Sequence, residues 1–156
     1  AVFSCLMSCG FQLKGTGSSG RSIGLQGLEL RLISAQPRSD LTREVSRELS
    51  NAGAVLTDVT DSALQLTLQA EQFRQRNVSL TAQARAAELE LTLSVDFVLE
   101  QAEQDPTEAR ATVSRQMLND PRNIVGKTEE LRLLREEMRR DLAAQIVRRI
   151  GHSLAR

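Results

Sequence analysis

The chain is predicted to fold as an α+β domain, an antiparallel or mixed four- to five-stranded sheet with two helices packed on one face. Three observations predict it. Two long segments alternate apolar and polar residues with a period of two, Leu64 to Ala70 and Leu89 to Leu99, the pattern of strands buried on one face only. Two other segments repeat apolar residues every three or four positions, Leu41-Val45-Leu49 and Leu131-Leu134-Met138-Leu142-Ile146-Ile150, the pattern of helices with one buried stripe. The order strand, helix, strands, helix lets both stripes cover the same sheet face.

The first element is a strand at 28–33, Leu-Glu-Leu-Arg-Leu-Ile, stopped by Pro37. Ser39 or Asp40 can cap the helix that follows, and Asn51-Ala52-Gly53 closes it. A short strand at 54–57 leads to the two alternating segments. Their polar partners, mostly Gln, Thr and Glu, make a second face left for water or a partner. After Asp105-Pro106 a strand from Arg110 to Met117 places Ala111, Val113 and Arg115 on one side, and Asn119-Asp120-Pro121 breaks it. The last helix is expected to open near Thr128, with Glu129 and Glu130 in its first turn and Arg148 and Arg149 in its last, and to stop at Gly151.

Ahead of the fold lies a different kind of signal. Leu6-Met7-Ser8-Cys9 is an apolar residue, two small or apolar ones and a cysteine, the order of a lipobox, in which the thiol is acylated and the preceding segment removed. Residues 1–8 are apolar and small, like the end of a signal peptide. Cys5, after Val2-Phe3-Ser4, is a second candidate, and a Cys5–Cys9 disulfide is the other reading of the two thiols. Acyl chains contribute about 0.8 kcal/mol per buried methylene, which tethers a domain to a bilayer without a spanning helix. Residues 9–27, with Gly15, Gly17, Gly20, Gly24 and Gly27 among serines, read as the lipidated cysteine and a flexible tether. A single domain at 28–151 and a tail at 152–156 complete the organisation.

Composition excludes more than it names. Twenty basic and twenty acidic side chains give a formal charge of zero, so bulk electrostatics offers no case for nucleic acid. There is no Trp or Tyr and only four Phe, which counts against sugar or single-stranded nucleic-acid sites built on aromatic platforms. Arginine far outnumbers Lys14 and Lys127; it suits bidentate contacts to phosphate or carboxylate, and GC-rich coding produces the same bias. Enzyme chemistry finds no footing. The one histidine, His152, lies past the expected end of the last helix, and no CxxC, HExxH or Walker pattern is present. Gly15 to Gly20 fits GxGxxG but precedes a strand instead of following one. Nothing calls for a cofactor or a metal. The glutamates and arginines at 129–140 read as solvated i,i+4 pairs.

The residues after the lipobox, Cys9-Gly10-Phe11-Gln12-Leu13-Lys14-Gly15, resemble the mature start of the LPS-assembly lipoprotein family. So do Arg115-Gln116-Met117-Leu118-Asn119-Asp120-Pro121, Ile124-Val125-Gly126-Lys127, and a helix containing Glu137-Met138 and Asp141-Leu142-Ala143-Ala144-Gln145-Ile146. The resemblance covers nearly the whole chain after Cys9. It implies an outer-membrane lipoprotein, acylated with palmitate-type chains, that sits inside the lumen of a large β-barrel LPS-assembly protein, plugs it, helps it assemble and helps deliver lipopolysaccharide to the cell surface. Gly10 after Cys9, where an Asp would favour the inner membrane, agrees with outer-membrane export. The resemblance also implies LPS contacts at Arg74 and Arg76, placed beside Phe73 where the two long strands turn, and at Lys127 just before the last helix. A stand-alone envelope lipoprotein that binds a small ligand or acts as a scaffold is the alternative.

Overall fold

A computed structural model describes residues 25–60, 62–80, 86–118 and 124–155; Cys5, Cys9 and the tether up to Gly24 lie outside them. Eight elements follow in order: β1 (Glu29–Ser34), α1 (Asp40–Asn51), β2 (Val55–Leu56), β3 (Leu64–Leu68), β4 (Gln72–Leu80), β5 (Ala86–Gln101), β6 (Thr107–Leu118) and α2 (Ile124–Leu154). β1, α1 and β2 form a parallel β-α-β unit, and β1 also pairs parallel with β3. β5 is the antiparallel centre of the remainder, flanked by β6 on one edge. Its other edge is shared: β3 pairs with residues 97–101 and β4 with residues 86–94. The sheet is mixed, with both helices on its leucine face, as the periodicity predicts. Among the described residues it has six strands, one more than the five segments read as strands, because residues 72–80, expected to hold the turn between the two long strands, form β4 beside β5.

The join between β3 and β4 is a bulge. Leu68 lies opposite Phe97 and Gln72 opposite Ser94, so three residues (69–71) face two (95 and 96), with Gln69 N–H donating to the Asp96 carbonyl at 2.9 Å. One extra residue reverses the side-chain phase. Before the bulge, even-numbered Leu64, Leu66 and Leu68 are buried. After it, odd-numbered Phe73 shares the helix face with Leu93, and Arg74 and Arg76 project from the opposite face beside Thr92 and Glu90. The two arginines therefore do not sit in a turn; they are in the middle of β4.

α1 forms as its capping residues dictate. The Ser39 hydroxyl accepts from Thr42 N–H at 3.1 Å, Leu41, Val45 and Leu49 are buried, and Gly53 leaves the helix at φ 92°, where a side chain would be strained. α2 begins at Ile124, four residues before the expected start, and ends at Leu154, past Gly151. Its first turn is Ile124 to Lys127, with no acidic residue, and the basic residue of its last turn is His152. Glu129, Glu130, Arg148 and Arg149 thus lie inside the helix, where the end dipoles they were expected to complement do not reach. Gly151 is buried within it, and His152, expected in a tail, is helical. Lys127 is helical too and does not precede the helix. Leu25, assigned to the tether, is fully buried, and Gly27 N–H donates to the Gly53 carbonyl at 2.8 Å, so the packed domain begins before residue 28.

One apolar cluster joins Leu25, both helices and the inner faces of β1, β3, β5 and β6. At about 25 cal/mol per Å² of apolar surface removed from water, this cluster is the main source of stability.

Candidate functional site

The face of the sheet away from the helices is built from residues that register places side by side. Asp96 lies opposite Arg110, Glu90 opposite Arg76, and Thr92 between Arg74 and Ser114. Arg110 grips both Asp96 oxygens, Nε to Oδ1 at 2.6 Å and Nη2 to Oδ2 at 2.7 Å. That fork holds the Asp96 carboxyl below its ordinary range and raises Arg110. Arg76 donates from Nε at 2.9 Å and Nη2 at 2.5 Å to one oxygen of Glu90. Thr92 and Ser114 hydroxyls meet at 3.3 Å. At the far end Gln65 bridges Arg31 and Glu100, accepting from Arg31 at 3.4 Å and donating to Glu100.

Arg74 is the exception. It is exposed, its cross-strand neighbour is Thr92, and no carboxylate pairs with it among the described residues. A guanidinium in that setting keeps five donors available to an anion. The structure therefore brings Arg74 and Arg76 together on one face and separates them from Lys127. α2, which carries Lys127, packs on the other face, where its Thr128 and Leu131 share a groove with Phe73 and Gln75.

The helix face holds a second charged cluster that periodicity does not reveal. Arg139, only 13% exposed, donates to Glu71, 10% exposed, at 2.6 and 3.0 Å, and to Asp40 at 2.9 Å. Arg135 donates to the same Glu71 at 3.3 Å and stacks 4.4 Å from the Phe73 ring centre. The hydrogen bonds that Arg139 donates to Glu71 raise its pKa, against a smaller loss from burial. The cluster ties the bulge, the start of α1 and the middle of α2 together. Of the helix arginines, Arg132 does bridge Glu129 and Glu136 in the solvated way its spacing suggests; Arg139 does not. The available signal was Glu71 beside Phe73, but only the bulge shows that it faces the helices.

Among the described residues no group of three or more His, Cys, Asp or Glu side chains is placed to hold a metal ion, and no helix is long and apolar enough to cross a membrane. His152 is exposed near Phe97 and Arg149, in a groove that Thr107 and Ser153 also line.

The model of a lipopolysaccharide-assembly family, LptE, matches residues 26–150, nearly the whole of the packed domain. The chain belongs to the LptE family. Consistent with that, it is 27% identical over 143 residues to the LPS-assembly lipoprotein LptE of Photorhabdus laumondii, covering 91% of this chain and 76% of that protein. It is equally similar, over 146 residues, to the LptE of Pectobacterium atrosepticum, with 91% and 76% covered. Among solved structures, the rare lipoprotein B from Shewanella oneidensis matches with a TM-score of 0.76 and 26% identity, over 81% of this chain and 96% of that one. A lipoprotein B from Nitrosomonas europaea shares the fold, with a TM-score of 0.71 at 20% identity over 94% and 93%. The mixed sheet under two helices is thus an arrangement shared with these lipoproteins.

Proposed function

We propose that this chain is a lipid-anchored component of lipopolysaccharide assembly, acylated at Cys9 and held in the outer membrane. In this reading it plugs the lumen of a large β-barrel LPS-assembly protein, assists that barrel's assembly and has no catalytic turnover. Membership of the LptE family supports the assembly role. The observation that carries a direct lipid contact is Arg74, an exposed guanidinium with no carboxylate opposite it on a face where the other arginines are bonded across strands. A lipid A phosphate fits it, because phosphate accepts the bidentate fork that guanidinium offers. Arg76 joins by yielding its Glu90 pair. Lys127, borne by the helix on the other side of the sheet, meets a different anionic group of the same or a second lipid.

Two measurements test the reading. Purification of the tagged protein from detergent-solubilised outer membranes is expected to bring a stoichiometric large β-barrel, together with an acylated mass starting at Cys9. The acylated protein emerging alone would reject the plug and leave a stand-alone ligand-binding or scaffold lipoprotein. Loss of one phosphate contact in Arg74→Gln is expected to weaken LPS binding about tenfold, with the Lys127→Gln effect separate and additive. Unchanged affinity in both variants would remove the direct lipid contact.

A further inference from the structure

The outer edges of this sheet are treated unequally. β6 has its outward backbone groups covered at three successive positions: Arg149 donates to the Arg110 carbonyl, Gln145 accepts from Thr112 N–H at 3.0 Å, and Arg115 donates to the Ser114 carbonyl at 3.1 Å. β2 offers only two residues. β3 is closed by β1. Among the described residues β4, nine residues long, pairs with β5 alone, and nothing there bonds the backbone of its outer edge. An uncovered strand edge is a template for one more strand.

We propose that the outer edge of β4 accepts an extended acidic segment of a partner polypeptide, which adds a strand to the sheet and sets a carboxylate opposite Arg74. Charge selects this occupant. A second copy pairing antiparallel through β4, in any register that matches the sheet faces and is centred on residues 74–76, brings Arg74 or Arg76 against an arginine of its twin. Like charges directly opposite are destabilising. The chain's own first 24 residues carry Lys14 and Arg21 and no acidic residue, so they offer Arg74 nothing. An incoming strand with Glu or Asp at alternate positions supplies the cross-strand partner that Asp96 gives Arg110 and Glu90 gives Arg76. The inference rests on the reading above in taking Arg74 as an anion contact, and it adds a consequence: the acidic strand and a phosphate compete for one guanidinium.

The test uses the full chain, isotope-labelled, with a synthetic nine-residue peptide in which Glu alternates with Thr and Val, and with its Lys-for-Glu counterpart. At ten times its dissociation constant the Glu peptide is expected to slow exchange of outward-facing amides in residues 72–77 about tenfold, leaving the amides of residues 110–114 unchanged. Arg74→Glu is expected to reverse the preference to the Lys peptide. Equal protection by both peptides, protection along β6, or no protection would overturn the proposal. So would edge protection that rises with protein concentration alone, which would make β4 an interface between copies. LPS binding by Arg74→Gln separates the two readings: peptide failure with LPS binding still lost sinks this inference only, and peptide success with LPS binding unchanged sinks the lipid contact only.

Discussion

Glu71 sits at the bulge with one carboxylate shared by two guanidiniums, and its removal would strand both. Arg139 would keep only Asp40, which is half exposed, and Arg135 already has a buried Nε with no acceptor among the described residues. Leaving one partner of a buried pair uncompensated costs far more than the pair contributes. Glu71→Met is therefore expected to destabilise by about 2–3 kcal/mol, and Glu71→Met with Arg139→Met together by less than Glu71→Met alone. Urea midpoints of the three proteins check this; a double variant worse than the single would refute the buried-charge account. Asp96 behaves differently because its pair is open to solvent and small in energy. Its carboxyl, held low by Arg110, binds protons more weakly folded than unfolded. The stability it adds is therefore fully present above its unfolded value of about 3.9 and lost as pH falls through the lower folded value. Asp96→Asn is expected to be less stable than the parent at neutral pH, with the gap closing toward about pH 2. A gap that widens on acidification would contradict the pairing.

At the scale of elements, the bulge decides which chemistry faces where. Leu64-Leu66-Leu68 and Leu89 to Leu99 are legible because each keeps one phase, and α1 is legible because Ser39, its apolar stripe and Gly53 agree. The register between β3 and β4 is not legible, since the change of phase at 69–71 reads as the end of a strand until the partner strand shows that pairing resumes at Gln72. Residues 72–77, with arginines in the outward phase and glutamines in both, then look like a turn. The limits of α2 were hidden for a similar reason: Glu129 and Glu130 imitate a first helical turn although Ile124 to Lys127 precede them. Deleting Ala70 leaves Gln69 and Glu71 opposite Asp96 and Val95, so β3 and β4 become one regular strand in which Leu68, Glu71 and Phe73 keep the helix face and Arg74 and Arg76 the other. The expected result is a cooperative urea transition retained in far-UV circular dichroism. Loss of that transition would mean that the extra residue itself, and not only the phase it sets, is needed for the fold.

For the whole molecule, the question is whether the parallel β1-α1-β2 unit and the antiparallel β4-β5-β6 unit unfold together. Three couplings join them. The first is β3, paired with β1 on one side and β5 on the other. The second is the single apolar cluster, which packs Leu41, Val45 and Leu49 of α1 together with Leu93 of β5 and Leu142 of α2. The third is the Glu71 cluster, which binds Asp40 of α1 to Arg139 of α2. A core shared this way has no boundary along which one half opens while the other keeps its buried surface, so unfolding is expected to be two-state. Leu93→Ala, central in β5, and Leu142→Ala, in α2, are each expected to cost about 2–5 kcal/mol. Both are expected to move every probe by the same amount. With no Trp or Tyr in the chain, the probes are far-UV circular dichroism for the helices and methyl resonances of Val45 and Leu49 against Leu91 and Leu99. Coincident midpoints in both variants establish one cooperative unit. A Val45 or Leu49 transition that stays in place while Leu91 and Leu99 shift would divide the molecule at β3, and the antiparallel half, which carries Arg74 and the open edge, would then be free to rearrange on its own.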